Sequence, residues 1–177
     1  MLFVKFPSLL ALVSALSFAA LAFSQSEKTQ WKEYVFASDG FALTLPYAPK
    51  PHPDANLADA TVYTIDLPNA DDGTVTLRVL HQPRDCLATL GQLKEGALTG
   101  RAPGADASSV KDVFIDGHPG MEYQWKVSPA RVVLERHYCI DGRFYTFSTA
   151  WPSAYPLPAA ATRIMKSFRL VKPDSHR

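Results

Sequence analysis

Four Asp-Gly dipeptides, Asp39-Gly40, Asp72-Gly73, Asp116-Gly117 and Asp141-Gly142, punctuate the chain, and each lies between runs rich in Tyr, Phe, Thr and Val. Asp-Gly supplies the positive-φ positions that tight hairpin turns need, and aromatic and β-branched residues suit a pleated, half-buried surface. The dipeptides therefore predict four hairpins: 31–37 with 41–46, 61–67 with 74–80, 110–115 with 121–128, and 132–140 with 143–151. Within the third, Met121, Tyr123, Trp125 and Val127 alternate with Glu122, Gln124 and Lys126, which predicts one buried and one wet face.

Between the second and third hairpins the period changes. Cys86, Leu90, Leu93 and Ala97 recur at helical spacing, and Leu87 and Leu98 widen the stripe. Pro83 suits the opening of this helix, Asp85 its cap or first turn, and Gly100 its end. Gly91 and Gly96 each weaken it by up to about 1 kcal/mol relative to Ala, so packing must hold it. A second helix is predicted over 158–167, with Leu157, Ala161, Ile164 and Phe168 on one face, followed by a short strand over 168–171. The segment 46–53 carries four prolines in eight residues, so it reads as an extended, exposed connector and not as sheet interior. Together these elements define an α+β class: an antiparallel β-sheet built from hairpins, with two packed helices.

The chain opens Met-Leu-Phe-Val-Lys5, runs apolar from Leu9 to Phe23 except at Ser14 and Ser17, and then turns polar. That is the layout of a cleavable signal peptide, residues 1–24, with an apolar run too short to span a bilayer comfortably. The expected mature chain is one domain, residues 25–177, secreted or periplasmic, with no membrane span after cleavage. The whole chain carries 18 basic and 17 acidic residues, and removal of Lys5 leaves them balanced, which argues against nucleic acid as a partner. The acidic excess falls in the half before Gly100 and the basic excess after it. In an oxidising compartment Cys86 and Cys139 invite a disulfide, with two buried thiols as the alternative.

Several signposts resemble those of the PsbP-like α/β sandwich group: Ser38-Asp-Gly-Phe-Ala-Leu-Thr-Leu-Pro46, Ile115-Asp-Gly-His-Pro-Gly-Met-Glu-Tyr123, Asp141-Gly-Arg-Phe-Tyr-Thr-Phe147 and Met165-Lys-Ser-Phe-Arg-Leu170. The chain most resembles exported bacterial members without an assigned activity, and the resemblance runs from about residue 31 to 171. Members range from an extrinsic subunit of a photosynthetic membrane complex to a Ran-binding factor, which implies accessory and binding roles. These motifs are turns and strand ends, so the resemblance carries over no functional residue.

The residues themselves offer little chemistry. The chain lacks the Gly-x-Ser-x-Gly elbow of a hydrolase. Cys86, with His81 or His137 as base, could serve as a nucleophile, but its place on the apolar helix stripe favours a structural use. His52, His81, His118, His137 and His176 show no ligand spacing, and Asp71-Asp72 read as hairpin turn and not as a calcium loop, so no metal or other cofactor is expected. The three tryptophans, Trp31, Trp125 and Trp151, could form a stacking platform for sugars or other flat ligands, but Trp125 belongs to an apolar face and reads as core. Trp151, followed by Pro152, Tyr155, Pro156 and Pro158, reads as a strand-end aromatic that either caps the core or lies partly exposed for binding. Lys126, Arg131, Arg136 and Arg143 fall on or between the strands of the last two hairpins, the same half that ends in Trp151 and Tyr155. Arginine beside exposed aromatics is the composition of protein interfaces, so these six residues form a candidate surface for an acidic protein or ligand, against the plainer reading of solvated strand faces. The function expected is that of an exported, non-catalytic accessory or binding protein. The alternative is a hydrolase-like enzyme whose site is assembled from dispersed residues.

Overall fold

In the computed structural model, which describes residues 29–54, 59–69, 73–81 and 85–172, two of the Asp-Gly pairs form two-residue turns with both residues at positive φ. Asp116 and Gly117 (φ 47° and 84°) join β6 (Ala105–Ile115) to β7 (His118–Ser128), and Asp141 and Gly142 (47° and 75°) join β8 (Arg131–Ile140) to β9 (Arg143–Pro152). Pairing resumes at once on either side, Ile115 opposite His118 and Ile140 opposite Arg143, which is the geometry of a type I′ hairpin. The expected turn at His118-Pro119-Gly120 is therefore strand: a two-residue turn uses none of those positions.

The other two pairs belong to longer connections. β1 (Lys32–Phe36) and β2 (Phe41–Leu45) are antiparallel neighbours, but Ala37–Asp39 makes a short 3-10 turn that Gly40 closes at φ 75°. Asp39 is buried there, accepting a hydrogen bond from the Tyr63 hydroxyl at its carboxylate and one from Tyr145 at its carbonyl (2.6 Å). Burial first, and the Asp39 carboxylate second, push the Tyr63 hydroxyl far above its ordinary pKa. β4 (Ala60–Asp66) and β5 (Thr74–Leu80) pair as expected, with Asp72 outside the described residues and Gly73 at φ 81°. The proline-rich segment differs from expectation in one respect. Lys50–Pro53 is a short edge strand, β3, on β4, exposed throughout, and an edge is where a strand tolerates proline.

All pairings among the described residues are antiparallel. A large sheet runs in the order β3-β4-β5-β9-β8-β7-β6, and a small one, β1-β2-β10, closes with β10 (Arg169–Leu170). The two helices lie on opposite faces of the large sheet. α2 (Ala159–Lys166) packs with β2, burying Ile164, Met165 and the following Phe168 among Phe41, Tyr145 and Phe147. α1 (Cys86–Leu98) covers the other face, where Cys86, Leu90 and Ala97 meet Met121, Cys139 and Phe144. Asp85 caps α1, its carboxylate accepting the Ala88 N–H at 2.8 Å, while Pro83 lies outside the described residues. Leu87 and Leu98 do not widen the buried stripe, since they are 60% and 49% exposed. Cys86 and Cys139 are joined by a disulfide, with a Cα–Cα distance of 5.6 Å.

Glu122 departs from the expected wet face. It is buried, held by Arg136 through Nε at 2.6 Å and by Lys111 at 2.5 Å across the β6-β7-β8 rows. Burial alone would raise its pKa, but the two cations outweigh that and hold the carboxylate below the usual range. β6 also begins five residues earlier than expected. Its polar start is shaped by an irregularity between Asp106 and Lys111, where Asp106 accepts from the Ser108 backbone and hydroxyl. The expected signal peptide, residues 1–24, and His176 lie outside the described residues.

Candidate functional site

At the end of β9 the chain turns sharply into α2, and the turn is tied down on both sides. The Ser153 N–H donates to the Ala130 carbonyl (2.9 Å), its hydroxyl donates to the Pro129 carbonyl (2.9 Å), and the Tyr155 N–H donates to the Pro152 carbonyl (3.0 Å). Trp151, Pro152, Tyr155, Pro156, Leu157, Pro158 and Ala159 line an open groove of about 780 Å³ along this turn. Of the two readings of Trp151, the structure shows the core-capping one: the residue is 6% exposed, and its indole N–H donates to the Tyr155 carbonyl at 3.0 Å. The ring forms the floor of the groove and not its rim. Prolines at 152, 156 and 158 fix φ through the wall, so a ligand ordering against it meets a surface with little conformational freedom to lose. The Tyr155 ring stands out at 68% exposure.

Of the six residues singled out in the sequence, the structure brings four to this end. Lys126, Val132 and Trp151 lie in one row across β7, β8 and β9, and Arg131 pairs with Pro152. Lys126 and Arg131 are both exposed. A shallower recess of about 330 Å³, lined by Arg131 and Pro152 among others, shares Pro152 with the groove. Arg136 is not part of this surface because Glu122 holds it. Arg143 stands at the other end of β9, beside Gly40 and Tyr145, about 30 Å along the strand at the usual rise per residue.

A second polar group lies on the α1 face of the large sheet. Tyr123 and Trp125 on β7 stand beside Glu135 and His137 on β8. The Tyr123 hydroxyl donates to Glu135 Oε2 at 2.9 Å, His137 Nε2 lies 3.2 Å from the same oxygen, and His137 Nδ1 is 3.1 Å from the Thr146 hydroxyl. The imidazole is buried and stacked between Tyr123 and Phe144, at ring distances of 5.8 and 5.6 Å. Burial would raise the Glu135 pKa, but His137 foremost, then Tyr123 and Trp125, hold it below the usual range; burial and Glu135 together push the Tyr123 hydroxyl far up. Sequence reasoning missed this cluster. Its signal was two period-two pairs, Tyr-x-Trp and Glu-x-His, which come together only once the β7–β8 register is known.

Other candidates resolve into structure. Cys86, in its disulfide, has no thiol to serve as nucleophile. Trp31 stacks under Arg163, 4.0 Å from guanidinium to ring centroid. Among the described residues no three His, Cys, Asp or Glu side chains gather closely enough to hold a metal.

No family model matches the sequence, and no curated protein matches it either. Solved structures do match. The solution structure of cyanobacterial PsbP (CyanoP) from Synechocystis sp. PCC 6803 superposes with a TM-score of 0.54 at 13% identity, covering 82% of this chain and 95% of that one. A crystal structure from Bacteroides thetaiotaomicron VPI-5482 matches with a TM-score of 0.49 at 11% identity, over 84% of this chain and 51% of that one. The fold is PsbP-like, an α+β arrangement of antiparallel sheets with two helices.

Proposed function

We propose that this protein is an exported, non-catalytic binding protein whose groove between β9 and α2 docks an acidic segment of a partner protein. The observation that carries the reading is the coincidence at one end of the molecule of a pre-formed apolar groove, an exposed Tyr155, and Lys126 and Arg131. Tyrosine and arginine around an apolar centre are the residues that dominate protein interfaces, and the two cations select for negative charge. Export is supported by the apolar run from Leu9 to Phe23 and by the disulfide, which belongs to an oxidising compartment.

Panning a random peptide display library on the folded protein tests this reading. Enriched peptides are expected to be net acidic, to compete with one another, and to lose binding to a Lys126→Glu/Arg131→Glu variant and to Tyr155→Ala, both of which touch only exposed side chains. Enrichment indifferent to charge and undiminished by either variant contradicts the proposal.

A further inference from the structure

The Glu135 cluster opens onto a recess of about 200 Å³, lined by Ala102, Pro103, Tyr123, Trp125 and Glu135. It lies on the α1 face, away from the groove. Its volume is below that of a drug-sized site, so it suits a single small head group. Two features there are unbalanced. Glu122, the buried carboxylate on the opposite face, has Lys111 and Arg136 beside it, whereas among the described residues Glu135 has no lysine or arginine, only His137. The Trp125 indole N–H is buried and, although near enough to Glu135 to help hold its pKa down, is not aligned for a hydrogen bond to any acceptor among the described residues. Glu135 is only partly buried, but a carboxylate with no fixed cation beside it and a buried N–H with no aligned acceptor both leave room for a ligand to improve their pairing.

We infer that this recess binds a small organic ammonium ion carrying a neighbouring oxygen, the chemistry of an amino alcohol or a choline head group. The ammonium lies against Glu135 and the aromatic rings of Tyr123 and Trp125, and the oxygen accepts the Trp125 N–H. Carboxylate plus aromatic walls is the combination that favours an alkylated ammonium, which is drawn to ring faces and is weakly hydrated. Ala102 and Pro103 close the recess with apolar atoms.

The probe is choline, set against its neutral isostere 3,3-dimethyl-1-butanol and followed through the three tryptophan indole N–H resonances of the nitrogen-labelled protein. Choline is expected to shift the Trp125 signal saturably and to leave Trp31 and Trp151 in place, since the first stacks under Arg163 and the second already donates to Tyr155. The isostere is expected to bind roughly tenfold more weakly, and Glu135→Gln, which keeps an acceptor for Tyr123, to weaken choline by a similar factor. Vesicles of phosphatidylcholine and of phosphatidylglycerol distinguish the source. Co-sedimentation with the first alone assigns a lipid head group, and binding of free choline without co-sedimentation assigns a solute. Equal response to choline and the isostere, an unmoved Trp125 signal, or undiminished choline binding by folded Glu135→Gln overturns the inference; the isostere comparison stands even if that variant does not fold.

Discussion

At the scale of single residues, Glu122 connects charge most directly to stability. Its carboxylate is buried, and its two cations reach it from neighbouring strands, so replacing it with Gln leaves Arg136 half-buried without its partner. The expected cost at neutral pH is roughly 3 kcal/mol. Because the folded-state pKa of Glu122 is depressed, its contribution is present above the ordinary glutamate pKa and is lost as pH falls through the lower folded value. The stability gap between wild type and Glu122→Gln, measured by urea unfolding from pH 7 downward, should therefore narrow in acid; a gap that widens contradicts the assignment. Gly120 offers a second test. A Cβ there would sit 2.4 Å from the His137 carbonyl oxygen and 2.5 Å from the Tyr138 ring, so Gly120→Ala must push β7 away from β8. A loss of at least about 2 kcal/mol in the same unfolding experiment is expected, and a neutral result would mean that the two strands are not so closely apposed. Neither residue was legible in the sequence. Glu122 alternates with apolar neighbours as a solvated residue would, and Gly120 reads as part of a turn, because burial on both faces and cross-strand approach are properties of the assembled sheet.

At the scale of elements, the disulfide ties α1 to β8 across 53 residues of sequence. The chain-entropy model assigns such a loop about 4 kcal/mol, so reduction should lower the thermal midpoint by many degrees. Scans with and without dithiothreitol measure this, and an unchanged midpoint under full reduction would contradict it. Local chemistry made these elements readable: Asp-Gly turns placed β8 and β9 to within a residue and the existence of β6 and β7, though not their full lengths, and Asp85 with the Cys86, Leu90, Ala97 stripe placed α1. What failed to read has a common cause. Leu87 and Leu98 look like core at helical spacing but lie beyond the reach of the sheet, and β3 looks like a connector because only β4 gives its prolines a partner. The candidate groove was half legible. Lys126, Arg131, Trp151 and Tyr155 were grouped by sequence proximity, and the β-register brought them to one end of the sheet, with Arg131 one residue out of the Lys126–Trp151 row, while the same register carried Arg136 to Glu122 and Arg143 to the far end.

At the scale of the whole molecule, the large sheet separates two surfaces. The small sheet and α2 bury one face, with the groove at its end, and α1 covers part of the other, beside the Glu135 recess. The central claim is that the end carrying Trp151 and Tyr155 is the docking surface. It is tested most directly by placing a photo-crosslinking amino acid at position 155 and, for comparison, at Phe114, which is equally exposed but sits on the α1 face at the β6–β7 turn. Irradiation of the protein in its own compartment, followed by mass spectrometry, is predicted to give a discrete adduct to one acidic partner from position 155 that disappears when Lys126 and Arg131 are both changed to Glu. Adducts of the same identity and yield from positions 155 and 114, or an adduct at 155 that survives the charge reversal, would contradict it.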